Sequence, residues 1–315
     1  MPFATAFYRA LGTGMVISVD SPIDDKVRSA MESLIEDYEH VLSRFRNDSL
    51  IAAIGKAEHG GSFDFPDWCA PLFDLYDALF SATSGAIDPC VGEDLIRLGY
   101  DASLSFTVTQ DAPEHLGALR GRAVWGRDVT RHGTTLVTHE PVQLDFGACG
   151  KGYLVDLLGR MLQSSQFVID AGGDLLIHAE QPISVALEDP EDQSHAIGIA
   201  HIANGALCAS APSRRHWNVA VNERTQIAIH HLLNAIDGLP AQQTEASWAY
   251  IPANATLNLA RDYPTAVADG LATALFVSDV AQLQRTFDFT YATLDESRQI
   301  AVSRNFPAEL FLRSA

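Results

Sequence analysis

The stretch FVIDAGGDLLIHA (167–179) reads as two strands joined by a turn at Gly172-Gly173. Downstream, ISVALE (183–188), IGIAHI (197–202), ALCAS (206–210), WNVAV (217–221), IAIHHLL (227–233) and ASWAYIPA (246–253) continue as short strands. Upstream, TTLVTHEPVQLDF (134–146) alternates like strands, and GACGKG (147–152) opens a helix with Leu154, Val155, Leu158 and Leu162 on its inner face. Towards the N-terminus, 11–19 reads as a strand, and Asp24 or Asp25 caps a long amphipathic helix. Residues 70–83 form a second helix, with Gly85 as its stop signal. A last, largely apolar helix covers 265–278. Helices crowd the first hundred residues and strands follow 183. The expectation is therefore an α+β fold, one domain over 1–315 with mixed or antiparallel sheets and packed helices, rather than a βαβ repeat.

The 315 residues are 47% hydrophobic and 19% charged, an ordinary globular composition. Lys and Arg number 21 against 40 Asp and Glu, a net charge of −19 that repels a phosphate backbone, so no nucleic-acid partner is expected. A small anion would need a local device such as a metal ion, a lysine or a helix N-terminus. No run of about 18 apolar residues suggests a transmembrane helix, and the N-terminus lacks the pattern of a secretory signal. Cys69, Cys90, Cys149 and Cys208 lie far apart and form no CxxC pair. Free thiols in a reducing cytoplasm are the plain expectation.

Several motifs could carry chemistry. In DFGACGKGYLVD (145–156) a glycine-rich turn places Lys151 at a helix start, where backbone N–H groups and the helix dipole favour anions. It is not a Walker loop, since Asp145 stands where the first glycine belongs and Gly152 follows the lysine. The plain alternative is a tight turn with an exposed lysine. In ADGLATAL (268–275), Asp269 and Thr273 share a helix face and offer oxygen ligands to a hard cation such as Mg2+. Otherwise Asp269 is a first-turn charge. In SGAIDPCVG (84–92), Pro89 holds Asp88 extended. In HHLLNAIDGLP (230–240), His231 is a candidate general base or a structural strand histidine.

Together, in order and spacing, these segments resemble the ApbE family of flavin transferases. The resemblance runs from Gly12-Thr13 through SRFRNDS (43–49), GAIDP (85–89), LDFGACGKGYLVD (144–156), DAGGD (170–174) and HHLLNAIDGLP to ADGLATALFV (268–277). Asp-x5-Lys-Gly-Tyr-x2-Asp and the closing Ala-Asp-x3-Thr-Ala are its most specific parts.

The resemblance implies an ApbE-like domain that binds FAD with Mg2+ on the pyrophosphate. Asp269 and Thr273 would be side-chain metal ligands, and Ala148 a ligand through its carbonyl. Leu11, Phe45, Ala86, Ile87, Asp88, Asp145, Lys151 and Leu232 match positions lining or holding FAD, Phe45 by stacking on the flavin. The implied reaction moves FMN from FAD to a threonine hydroxyl of an acceptor protein with release of AMP. The alternatives are a metal-dependent FAD pyrophosphatase giving FMN and AMP, and a non-catalytic FAD-binding protein. Three departures stand out: Asn234-Ala235-Ile236-Asp237-Gly238 replaces the usual Asp-Pro-x-Thr-Gly, Cys90 replaces a threonine, and Ser210-Ala211 replaces Ser-Gly. None falls on the implied metal ligands. Many relatives are exported lipoproteins, and the lack of a signal and lipobox here points to a cytoplasmic member.

Overall fold

A computed structural model describes residues 1–222 and 225–311. Its backbone is a nine-stranded antiparallel sheet. The strand order is Phe3–Ala10, Thr13–Val19, Phe167–Asp170, Asp174–Glu188, Ala196–Ser210, Thr244–Pro252, Thr290–Asp295 and Ile300–Val302, with Ala308–Leu310 pairing beside Ala196–Ser210. The α+β expectation holds. The segments ISVALE and IGIAHI are not separate short strands. They belong to two 15-residue strands that pair from Asp174↔Cys208 to Glu188↔Ala196, with register shifts between His178 and Ile183 and between Leu187 and Glu188. Leu11 is not the start of a strand either: it turns a hairpin with left-handed φ 54, its N–H donating to Glu39 Oε1 at 2.9 Å. Of 134–146 only Thr135–Thr138 is a strand.

Alternation along the long strands separates two cores. Ala206 and Cys208 face the larger one, beneath the helices, while Leu207, Ile177 and Trp248 face a smaller one on the other side of the sheet. The helix Asp25–Leu42 starts where Asp24 accepts the Lys26 N–H at 2.7 Å, and it buries Met31, Ile35, Tyr38 and Leu42. The helix Ala70–Ala82 ends with the Gly85 N–H returning to the Phe80 carbonyl at 2.8 Å, with Gly85 at φ 90.

Two helices position the site, Gly150–Gly159 and Pro264–Ala274, and each caps the other. Neither has a capping side chain of its own, so first-turn N–H groups need outside acceptors. Asp269 Oδ2 accepts the Gly152 N–H at 3.0 Å. In return Asp156 accepts the N–H groups of Thr265 at 3.1 Å and Ala266 at 2.8 Å. Gly152 makes the crossing possible, because a Cβ there would lie 2.3 Å from the Thr265 carbonyl oxygen. Asp269 is thus no first-turn charge of its own helix, which begins five residues earlier at Pro264. Among the described residues no helix is long and apolar enough to cross a membrane, and all four cysteines are free and buried.

Candidate functional site

Strand ends and turns of the sheet at 11–13, 171–172 and 209–211, the start of helix Gly150–Gly159 and the end of helix Pro264–Ala274 border a cavity of about 800 Å³. Of the residues singled out in the sequence, Leu11, Phe45, Ala86, Ile87, Asp88, Asp145, Ala148, Lys151, His231, Leu232 and Thr273 line it. Asp269 does not: it is 1% exposed and lies against Lys151.

Local chemistry explains each placement. The turn before the Lys151 helix is drawn tight by Asp145 Oδ1, which accepts the Gly147 N–H at 2.6 Å. Asp145 Oδ2 is paired with the buried Arg44 guanidinium. That guanidinium lies 4.1 Å over the Phe45 ring and 4.7 Å over Tyr100, and Tyr100 meets Phe45 edge-on at 5.3 Å. These groups form an aromatic and cationic wall against which a flat ring can stack. Asp88 lines the cavity, but its carboxylate points into the protein. It accepts the Cys90 N–H at 2.8 Å and lies 3.4 Å from both terminal nitrogens of Arg122. Burial raises the Asp88 carboxyl above its usual range, with Arg122 opposing.

His231 lies just past the strand Thr225–His230. Its Nδ1 is 3.2 Å from the Arg215 carbonyl oxygen. A carbonyl only accepts, so Nδ1 carries the proton and Nε2 is the proton-accepting nitrogen. Burial lowers the His231 pKa to about 4, so the ring is neutral at physiological pH.

Deeper in, Lys151 Nζ sits 2.8 Å from Asp174 Oδ2 and 3.1 and 3.3 Å from the two Asp269 oxygens. Burial disfavours the ammonium, yet the two carboxylates outweigh it and raise the Lys151 pKa. Burial first, and Asp174 second, push the Asp269 carboxyl above the usual range. Thr273 Oγ1 lies 3.4 Å from both the Ala148 carbonyl oxygen and Ser210 Oγ. Among the described residues no three His, Cys, Asp or Glu side chains are grouped to hold a metal. A cation here would draw on one or two carboxylates, a hydroxyl and a backbone carbonyl, the all-oxygen chemistry that hard cations take.

Sequence reasoning missed Asp174, Arg44 and Tyr100. Asp174 closes the DAGGD motif, whose local signal is its two glycines. Those do make the turn, with Gly172 at φ 72 and Gly173 at φ 109. The neighbourhood of Arg44 and Tyr100 joins residues 56 apart, and no local pattern signals it.

The family model of the ApbE family matches residues 11–293. The chain is 23% identical over 274 residues to the FAD:protein FMN transferase of Klebsiella pneumoniae (strain 342), a match covering 83% of this chain and 74% of that protein. It is 27% identical over 286 residues to the FAD:protein FMN transferase of Treponema pallidum (strain Nichols), covering 80% and 72%. Among solved structures, the fold is similar to the ApbE protein from Thermotoga maritima, with TM-score 0.78 at 19% identity over 98% of this chain and 99% of that one. It is also similar to the flavin transferase ApbE from Vibrio cholerae, with TM-score 0.75 at 17% identity over 96% and 97%.

Proposed function

The chain belongs to the ApbE family, and from that premise we propose that it is a Mg2+-dependent FAD:protein FMN transferase, moving FMN from FAD to a threonine hydroxyl of an acceptor protein and releasing AMP. The observation that carries this reading is convergence: Phe45, Lys151, His231 and Thr273 come from four distant segments and line one cavity, with Asp269 directly behind Lys151. Curated relatives bearing that activity support it. One sheet reaches from Phe3–Ala10 to Ala308–Leu310, which supports reading 1–315 as one functional unit. We place it in the cytoplasm, where its four buried thiols stay reduced.

The residues divide the work by chemistry. Phe45 and Tyr100, with Arg44 over both rings, form the platform for the isoalloxazine. Leu11, Ala86, Ile87 and Leu232 supply apolar walls. Asp88 and Asp145 act through the backbone they shape, because Arg122 and Arg44 engage their carboxylates. Lys151 brings a full positive charge to a pyrophosphate that the −19 protein would otherwise repel. Asp269, Thr273 Oγ1 and the Ala148 carbonyl would hold Mg2+, which when bound would supply charge neutralisation of the pyrophosphate and polarisation of its phosphorus. The acceptor oxygen forms a bond to the FMN phosphorus, the bond from that phosphorus to the bridging oxygen breaks, and AMP leaves with the electron pair. The hydroxyl proton goes to His231 Nε2, which is neutral and has its other nitrogen fixed on the Arg215 carbonyl.

The test is incubation with FAD and Mg2+, with and without acceptor proteins carrying a target threonine, following AMP, free FMN and protein-bound flavin. AMP and bound flavin rising together, and both abolished by chelation, are expected. Equal AMP and free FMN regardless of acceptor would instead make it a pyrophosphatase. Flavin binding without any AMP would make it non-catalytic.

A further inference from the structure

Asp174 and Asp269 are each 1% exposed, and one ammonium serves both. Lys151 Nζ contacts both Asp269 oxygens and one Asp174 oxygen. Two carboxylates against one lysine leave one formal negative charge in excess. Lys151 is 34% exposed and lines the cavity, which Asp269 does not. A cation entering from the cavity therefore meets the ammonium before it meets Asp269.

The two carboxylates are held differently. Asp269 keeps a second partner through Oδ2, the Gly152 N–H at 3.0 Å. Asp174 has no hydrogen-bond partner for either oxygen among the described residues, the Lys151 contact being an ion pair without hydrogen-bond alignment. Asp269 can thus release Lys151 and stay anchored, whereas Asp174 without Lys151 would be a buried charge with nothing against it, which is strongly unfavourable. Lysine suits such an exchange. It is a point charge on a flexible stem and can pivot between partners without losing donor geometry.

We propose that Lys151 is an exchangeable counter-ion, placed on Asp269 in the metal-free protein and retained by Asp174 alone once a divalent cation takes Asp269. Asp174 is its retaining partner, and the pair sets the affinity of the cation site. This rests on the reading of Ala148, Asp269 and Thr273 as cation ligands. The consequence is that the cation alone binds weakly, because it must displace one positive charge from Asp269 and then sit beside it. The substrate pyrophosphate, arriving with the opposite charge, relieves that repulsion, so cation and FAD bind cooperatively.

Calorimetric titration of Mn2+ and Mg2+ into FAD-free protein tests this without any turnover. Lys151→Met removes the competing charge and is expected to tighten cation binding about tenfold or more. Asp174→Asn leaves Lys151 to Asp269 alone and is expected to weaken it severalfold. Opposite shifts are expected, and the double variant separates exchange from plain charge removal: where Asp174 acts by retaining Lys151, Asp174→Asn adds little in the Lys151→Met background, and fully additive shifts overturn the exchange. Unchanged or weaker binding in Lys151→Met overturns the exchange. Should that variant not fold, Asp174→Asn decides alone, and unchanged or tighter binding there overturns it. Wild-type protein that takes up neither cation even with FAD present overturns the metal reading and this inference with it. If wild type binds the cation and the variants do not separate, only the exchange fails.

Discussion

Asp88, Asp94 and Arg122 form one buried cluster, and Asp174, Asp269 and Lys151 form another. Each sets two carboxylates against one cation, yet they are built for different ends. Arg122 is sealed, with its side chain and that of Asp94 at 0% exposure. It lies 2.8 Å from Asp94 through Nε and 3.4 Å from Asp88 through both terminal nitrogens. It also donates to the carbonyls of Ala123 at 2.5 Å and Ala235 at 2.7 Å. Ala235 in turn donates to the Ala86 carbonyl at 3.1 Å. The planar fork thereby ties together two walls of the cavity, the one at 86–88 and the one at 232–235. Lys151 places its charge on carboxylates only, and its stem is open to the cavity. A guanidinium with fixed directions holds geometry, and an ammonium with a mobile stem holds charge. Where this protein fixes two walls of the cavity it uses arginine, and where a buried cluster opens onto the cavity it uses lysine.

The largest effect expected from breaking this contrast is on the sealed cluster. Arg122→Met leaves two buried carboxylates without their cation and should destabilise the protein by about 3–5 kcal/mol, measured by urea denaturation. A loss under about 1 kcal/mol would show that the clamp is not holding the fold. Asp269→Asn attacks the open cluster. Asn retains an oxygen for the Gly152 N–H but not the charge that would hold a divalent cation on the proposed reading, so Mg2+-dependent turnover should fall at least about a hundredfold while thermal stability changes little. Near-normal turnover would reduce Asp269 to a cap for the neighbouring helix. Thr273→Val removes a neutral oxygen from the same site and should cost about tenfold in turnover. An unchanged rate would remove the hydroxyl from the ligand set.

The smallest effect is a slope. Burial holds the Asp94 carboxyl at about 6, above the usual 3.8, with Arg122 only partly offsetting it. The native state therefore binds this proton more readily than the unfolded chain. The contribution to stability is fully present below about pH 4 and declines as pH rises through about 6, by at most about 1.4 kcal/mol per pH unit. In denaturation series at pH 4, 5, 6 and 7, the stability of wild type relative to Asp94→Asn should fall across that window and level off above it. A constant difference would mean that Arg122 keeps Asp94 ionised throughout.

Much of the site was legible because its motifs are local. Lys151 follows a glycine-rich turn, and Asp269 and Thr273 lie one helical turn apart. The two most specific segments, Lys-Gly-Tyr-x2-Asp and Ala-Asp-x3-Thr-Ala, are the two helices that cap each other through Asp156 and Asp269. The sequence marked both aspartates but not that they are reciprocal. The role of Asp174 stayed hidden because it depends on a neighbour 23 residues away, and Arg122 stayed hidden because it looks like any surface arginine.

What the sequence alone determined are properties set by spacing along the chain. These are the helix and strand periodicities, the α+β class, the glycine turns and the order of motifs that marks the family. What only the tertiary structure decided are properties set by which distant atoms meet in a dry interior. Two 15-residue strands run through what read as separate short ones, because each pairs with the other from end to end across two register shifts. Asp88 turns away from the cavity it lines because Arg122 lies inside, and Asp269 sits behind Lys151 rather than at its own helix start. A charge in water is indifferent to its distant neighbours at ordinary salt. Once buried it must have a partner, and which partner depends on the path of the whole chain.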